Sequence, residues 1–343
     1  MENNTATWQL TEVASPNINE PVPVVAAKNI LYIPGGNRFQ NISIYLPRKT
    51  ETEALVGTLV ASLPGLSPVG KLPRWHVHIH GGAWRDPQLT SASIEPAVAH
   101  AFLAANKTSP LITAVASINY TLSPFPAHPT LPYDPTTGDH SDPSREAYHP
   151  EHVHDVLAGF ALLRSLGLQD DSYILSGHSA GSCLSFQSTL QPASYWHANP
   201  LPDPPRPAAI LGLNGLYDLW GLVHDLGESH ASLDSVYRTF LSITFGADQT
   251  LWPAASPASF DLSALNDRMK VGKIARLVVL DQSKEDQLVP MNQVERFQAH
   301  LTEVDGLRLV RGHRCEGRHV APWEEGYMIW DSIQDVLQLL SEE

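Results

Sequence analysis

The sequence predicts an α/β protein with a mainly parallel central sheet covered by helices on both faces. Short β-like runs alternate with stretches of helical period through the body of the chain, the pattern of strands joined by crossover helices. Runs such as Arg276-Leu277-Val278-Val279-Leu280 are nearly all apolar, as strands buried on both faces are. The length, 343 residues, suits one large α/β unit.

Residues 1–27 are polar and contain prolines without a clear period, so they read as a loosely packed lead-in to a single domain over 28–343. Ile30-Leu31-Tyr32-Ile33 and Ile42-Ser43-Ile44-Tyr45-Leu46 flank the turn signal Gly35-Gly36-Asn37, which suggests an antiparallel start to the sheet. Trp75-His76-Val77-His78-Ile79-His80 is a strand running into Gly81-Gly82-Ala83-Trp84-Arg85-Asp86-Pro87. A helix near 92–105 and a buried strand over 111–120 follow. Residues 121–150 hold seven prolines, and an irregular loop of that length is expected to serve the site, here by shaping its entrance. Pro150 opens a helix with Val153, Val156, Leu157 and Phe160 at helical spacing, and Gly167 stops it.

A strand at Ser172-Tyr173-Ile174-Leu175-Ser176 then meets Gly177-His178-Ser179-Ala180-Gly181, and Ser182 to Gln187 begins a helix. The next strand, the sixth predicted, is Ala208-Ala209-Ile210-Leu211-Gly212-Leu213-Asn214. Residues 219–270 form a helical insertion whose Trp220, Tyr237, Phe240, Phe245 and Trp252 suit either core or a cap over the site. Strands at 276–280 and 307–311 and a C-terminal helix with Trp330, Ile333, Leu337 and Leu340 on one face complete the chain.

Thirty-six acidic against 22 basic residues give a net charge of −14, which argues against a nucleic-acid surface. The expected partner is a small neutral or zwitterionic molecule, and a homodimer is left open. The first residues carry no secretory pattern, and no apolar run approaches the about 18 residues of a membrane span, so no membrane association is expected. Only Cys183 and Cys315 are present, consistent with a cytoplasmic location. Four Asn-x-Ser/Thr matches, at Asn3, Asn41, Asn106 and Asn119, read as chance.

Strand, G-x-S-x-G and helix in succession form a nucleophile elbow that presents Ser179. A serine hydroxyl needs an imidazole to take its proton and an acid to orient that imidazole. In the order Ser, acid, His, the downstream loops offer Asp286 and His319, with Asp281 and Glu285 as other acids and His313 as another histidine. His80-Gly81-Gly82 fits a loop that lends a backbone N–H to an oxyanion hole. His76, His78 and His80 alternate and share a face; zinc is one reading, and hydrogen bonding inside a covered sheet is the preferred one. No metal or other cofactor is expected. His152, His154 and Asp155 read as a polar helix face.

These residues resemble the α/β-hydrolase fold, and the chain from about residue 30 onward is similar to fungal kynurenine formamidases, also called arylformamidases. The likeness rests on His80-Gly81-Gly82-Ala83-Trp84-Arg85-Asp86-Pro87 and Gly177-His178-Ser179-Ala180-Gly181. It extends through Ile118-Asn119-Tyr120-Thr121-Leu122-Ser123-Pro124, His149-Pro150-Glu151-His152, Gly215-Leu216-Tyr217-Asp218-Leu219 and Asp286-Gln287-Leu288-Val289-Pro290. Where related hydrolases often have Tyr-Arg-Leu, this chain has Tyr120-Thr121-Leu122. The resemblance implies Ser179 as nucleophile, Asp286 as acid, His319 as base, and the N–H groups of Gly82 and Ala180 as oxyanion donors. His80, Gly81, Trp84 and His178 would contact substrate. The implied reaction is hydrolysis of N-formylkynurenine to kynurenine and formate; a general carboxylesterase and a non-catalytic receptor or scaffold are the alternatives.

Overall fold

A computed structural model describes residues 6–61, 72–103, 111–137 and 141–342. Their strands form a nine-stranded sheet in the order β1-β2-β3-β5-β4-β6-β7-β8-β9. β1 (Gln9–Val13), β2 (Val22–Leu31) and β3 (Asn41–Pro47) pair antiparallel, and β3 pairs antiparallel with β5 (Ala114–Ile118). From β5 onward every pairing is parallel, through β4 (Trp75–Ile79), β6 (Tyr173–His178), β7 (Ala209–Leu213), β8 (Leu277–Asp281) and β9 (Arg308–Arg311). This is the α/β-hydrolase architecture.

The first two strands correct the reading of residues 1–27 as a loose lead-in. Val24, Val25 and Ala27 are fully buried and Trp8 nearly so; Pro23 lies in the strand opposite Glu12. With β1 added, the helical insertion follows the seventh strand rather than the sixth.

Alternation along the strands splits the core in two. On one face, Ile174, Ala209, Leu211, Leu277 and Val279 pack with α1 (Glu95–Leu103) and the C-terminal helix Tyr327–Ser341. On that helix the buried stripe is Ile329, Ile333, Val336, Leu337 and Leu340, with Trp330 only partly covered. On the other face, Trp75, Val77, Ile79, Leu175, Ile210 and Leu280 pack with the helices Glu151–Ser165, Ala180–Leu190, Asp234–Phe245 and Asn292–Leu301.

The buried histidines of β4 lie on the first of these faces. His76 Nε2 and His78 Nδ1 both bond Ser176 Oγ, at 2.7 and 2.8 Å, across the parallel pair in which His78 stands opposite Ser176. Among the described residues no group of three or more His, Cys, Asp or Glu could hold a metal ion. Asn41 and Asn119 are also buried, and Asn119 Nδ2 donates to Asn41 Oδ1 at 2.8 Å, so both serve the core; Asn3 and Asn106 lie outside the described residues. Among the described residues no helix is long and apolar enough to cross a membrane.

Candidate active site

Adjacent parallel strands bring the two glycine-rich loops together. Ile79 of β4 stands opposite Gly177 of β6, so the His80-Gly81-Gly82 loop and the serine elbow leave the sheet at the same level. Ser179 has φ 55° and ψ −122°, a backbone that a non-glycine residue adopts only under strain. The fit is close: a Cβ on Gly181 would lie 2.1 Å from the carbonyl oxygen of Ile79, and one on Gly81 would lie 3.1 Å from Ser179 Cβ. Helix Ala180–Leu190 starts at the next residue, so the Ala180 N–H is one of the unbonded donors at a helix N-terminus. Among the described residues neither this N–H nor that of Gly82 donates to a protein acceptor.

The glycine loop is fastened from below by Tyr120. Its hydroxyl donates to the carbonyls of His80 and Gly81 at 3.1 and 2.9 Å, and its ring stacks on His80 with centroids 4.6 Å apart. Gly82, Ala83 and Trp84 all have positive φ, and the Gly82 carbonyl accepts the N–H groups of Arg85 and Asp86. Thr121, where related hydrolases often have arginine, anchors the following loop: its Oγ1 accepts from Asn37 Nδ2 at 2.9 Å and its N–H donates to Asp155 Oδ2 at 2.8 Å. His152 bonds Ser123 Oγ at 3.0 Å. His152 and Asp155 are therefore buried ties to this loop, not the polar helix face expected; His154 bonds the carbonyl of Trp196.

Among the candidate acids, Asp286 is the partner of His319. Its Oδ2 accepts from His319 Nδ1 at 2.7 Å and from Gln282 Nε2 at 2.9 Å, while Oδ1 accepts the N–H groups of Leu288 and Val289. Asp281 is turned to the backbone N–H groups of Arg314 and Cys315, and burial pushes its pKa up. Glu285 and His313 are exposed. The bond to Asp286 fixes the proton of His319 on Nδ1 and leaves Nε2 as the basic nitrogen.

The backbone of His319 is held on both sides. Its N–H donates to Gln287 Oε1 at 3.0 Å, and its carbonyl accepts from His178 Nε2 at 2.8 Å and Asn214 Nδ2 at 3.1 Å. Asn214 also accepts the Ser283 N–H on Oδ1, so one amide joins the acid loop to the histidine loop. Burial lowers His178 to about 3, which keeps the ring neutral near pH 7, and its bond to a carbonyl places the one ring proton on Nε2.

Ser179, His178, Gly82 and His319 open on a cavity of about 240 Å³, whose apolar wall includes Phe125, Leu216, Tyr237, Phe240, Val289 and Trp323. Helix Asp234–Phe245 of the insertion and the proline-rich loop thus both reach the site. Of the expected substrate contacts, His178 lines the cavity, while His80, Gly81 and Trp84 do not. His80 and Gly81 support the loop, and Trp84 is buried against Phe240 and Phe245, with centroids 6.1 and 5.0 Å away. Arg85, next in the sequence, takes the place on the wall expected for Trp84. Tyr237 and Phe240 come from the insertion whose aromatics suited either core or cap, whereas long-range packing puts Arg85 and Phe125 there and no spacing in the sequence marks those two.

The chain is 31% identical over 275 residues to a protein of Fusarium equiseti named kynurenine formamidase-like hydrolase fscH, covering 78% of this chain and 84% of that one. It is 32% identical over 241 residues to kynurenine formamidase avaC of Aspergillus versicolor, covering 66% and 75%. The chain belongs to the kynurenine formamidase family. Comparison with models of known protein families gave no match. Within the solved structures, this kynurenine formamidase relative shares its fold with esterase B of Lactobacillus rhamnosis, with a TM-score of 0.59 at 15% identity over 94% of this chain and 90% of the other.

Proposed function

We propose that the chain hydrolyses the formamide of N-formyl-L-kynurenine to kynurenine and formate through a formyl-serine. In this reading Ser179 Oγ attacks the formyl carbon as His319 Nε2 takes its proton, and the carbonyl oxygen becomes an oxyanion facing the N–H groups of Gly82 and Ala180. His319 passes the proton to the departing aryl amine, and the C–N bond breaks. Water then adds to the formyl ester, His319 takes its proton and returns one to Ser179, and formate leaves. An aryl amine beside a ring carbonyl is a far better leaving group than an alkyl amine, so an esterase-like site suffices for this amide.

The observation that carries the reading is the 2.7 Å bond between His319 Nδ1 and Asp286 Oδ2 at the edge of the cavity that Ser179 opens on. The names of the Fusarium and Aspergillus relatives supply the acyl group. Both cysteines are unpaired and buried, which supports the cytoplasmic location.

The test is formate release from N-formylkynurenine compared with release of butyrate from its N-butyryl analogue and of nitrophenol from p-nitrophenyl acetate. The formamide is expected to be the preferred substrate by kcat/KM. Preference for the acetate ester or the butyryl amide would make the chain a general carboxylesterase. Failure of a fluorophosphonate to label Ser179 would point to a non-catalytic receptor or scaffold.

A further inference from the structure

We propose that Arg85 binds a carboxylate, so that the molecule this cavity takes is an aryl compound with an acidic tail. For the reacting group the inference rests on the formamidase reading; what it adds is recognition of the substrate's far end.

Arg85 is 7% exposed and lines the same cavity as Ser179 and His319. Its guanidinium lies 3.9 Å from the ring centroid of Phe125 and 5.3 Å from that of Phe240. Among the described residues it makes no ion pair, and its buried Nε has no hydrogen-bond partner. Burial lowers its pKa to about 10, which leaves it charged at neutral pH. Asp86 is close enough to favour that charge, yet its own Oδ1 accepts the Gln88 N–H at 2.9 Å and faces His128 Nε2 at 3.4 Å.

Asp86 lines the same cavity but makes no ion pair with Arg85; a buried cation without a paired anion is costly, and two aromatic rings offset only part of that cost. An uncharged side chain of the same length would pack between Phe125 and Phe240 without it. What the guanidinium adds is a planar fork of N–H donors suited to a carboxylate. The flanking rings suit an aromatic ligand body, and the rest of the wall is largely apolar. N-Formylkynurenine, an aryl formamide ending in an amino-acid carboxylate, has this form.

Arg85→Met and Arg85→Lys are to be compared with the parent enzyme on N-formylkynurenine and on 2′-formamidoacetophenone, which keeps the aryl formamide and lacks the acidic tail. Arg85→Met is expected to raise KM for the first roughly 10- to 100-fold, with kcat for both and KM for the second within about threefold; Arg85→Lys should recover part of the loss. An equal loss on both substrates, or no change on either, overturns the proposal.

Binding of 4-oxo-4-phenylbutanoate and of its amide, measured by calorimetry, separates this proposal from the formamidase reading because no reaction is needed. The acid is expected to bind at least tenfold more tightly than the amide, and Arg85→Met should erase the difference. Equal affinities, or no binding of the acid, overturn the role of Arg85. Lack of formate release with the acid preference intact overturns the formamidase reading alone.

Discussion

His178 donates from Nε2 to the backbone carbonyl of His319 at 2.8 Å, and the two rings stand 4.7 Å apart. The residue before the serine therefore positions the loop that carries His319. His178→Phe keeps the ring and removes the donor. It is expected to lower kcat for formate release about tenfold with KM within twofold, as for loss of one positioning hydrogen bond. A change confined to KM would make His178 a substrate contact instead.

Asp286→Asn is expected to cost about four orders of magnitude in kcat, because an amide holds the imidazole in the wrong tautomer. Glu285→Ala, at an exposed neighbour, should stay within twofold of the parent. Steady-state rates of the two variants check this; inactivity of only the Glu285 variant would transfer the acid role.

Ser179→Ala is expected to lose at least about three orders of magnitude in rate while keeping the fold. Ser179→Gly is expected to be equally inactive but more stable than Ser179→Ala by about 1 kcal/mol, since glycine relieves the positive φ. Urea unfolding midpoints of the two variants measure the strain held at the elbow.

Acid should unfold the protein through its buried histidines. Burial lowers His76, His152 and His178 to about 3 and His80 to about 4, against about 6.5 in an unfolded chain. Below about pH 6.5 the unfolded state binds protons that the folded state refuses. The stability these rings contribute is therefore complete above that pH and declines as pH falls toward 3, by up to about 1.4 kcal/mol per pH unit for each. The urea midpoint is expected to drop clearly from pH 7.5 to pH 5, and a flat midpoint over that interval contradicts the prediction.

The elbow, the glycine loop and the order Ser179, Asp286, His319 were legible in the sequence because the chemistry requires particular residues at short spacings or in a fixed order. Most of the parallel strands were legible as short runs rich in apolar residues, although β4 alternates with histidines and β9 begins and ends on arginine. β1 and the first part of β2 were not, since they pair with each other in a polar stretch and Pro23 interrupts the pattern of Val22 to Ala27. Trp84 and Arg85 show the limit most clearly: adjacent positions in one loop, of which the apolar one is buried and the charged one faces the cavity. Three successive positive φ angles decide that, and neither residue type announces them.

The tie from His178 to His319 spans 141 residues of chain and joins an inner strand of the sheet to the loop after its last strand. During synthesis Ser179 and the glycine loop emerge well before His319. A chain that stops short of His319 has the strained serine but neither the imidazole paired with Asp286 nor the carbonyl that His178 grips. If His319 is the base, premature termination is expected to yield an inert product rather than a weak hydrolase with an unguarded serine.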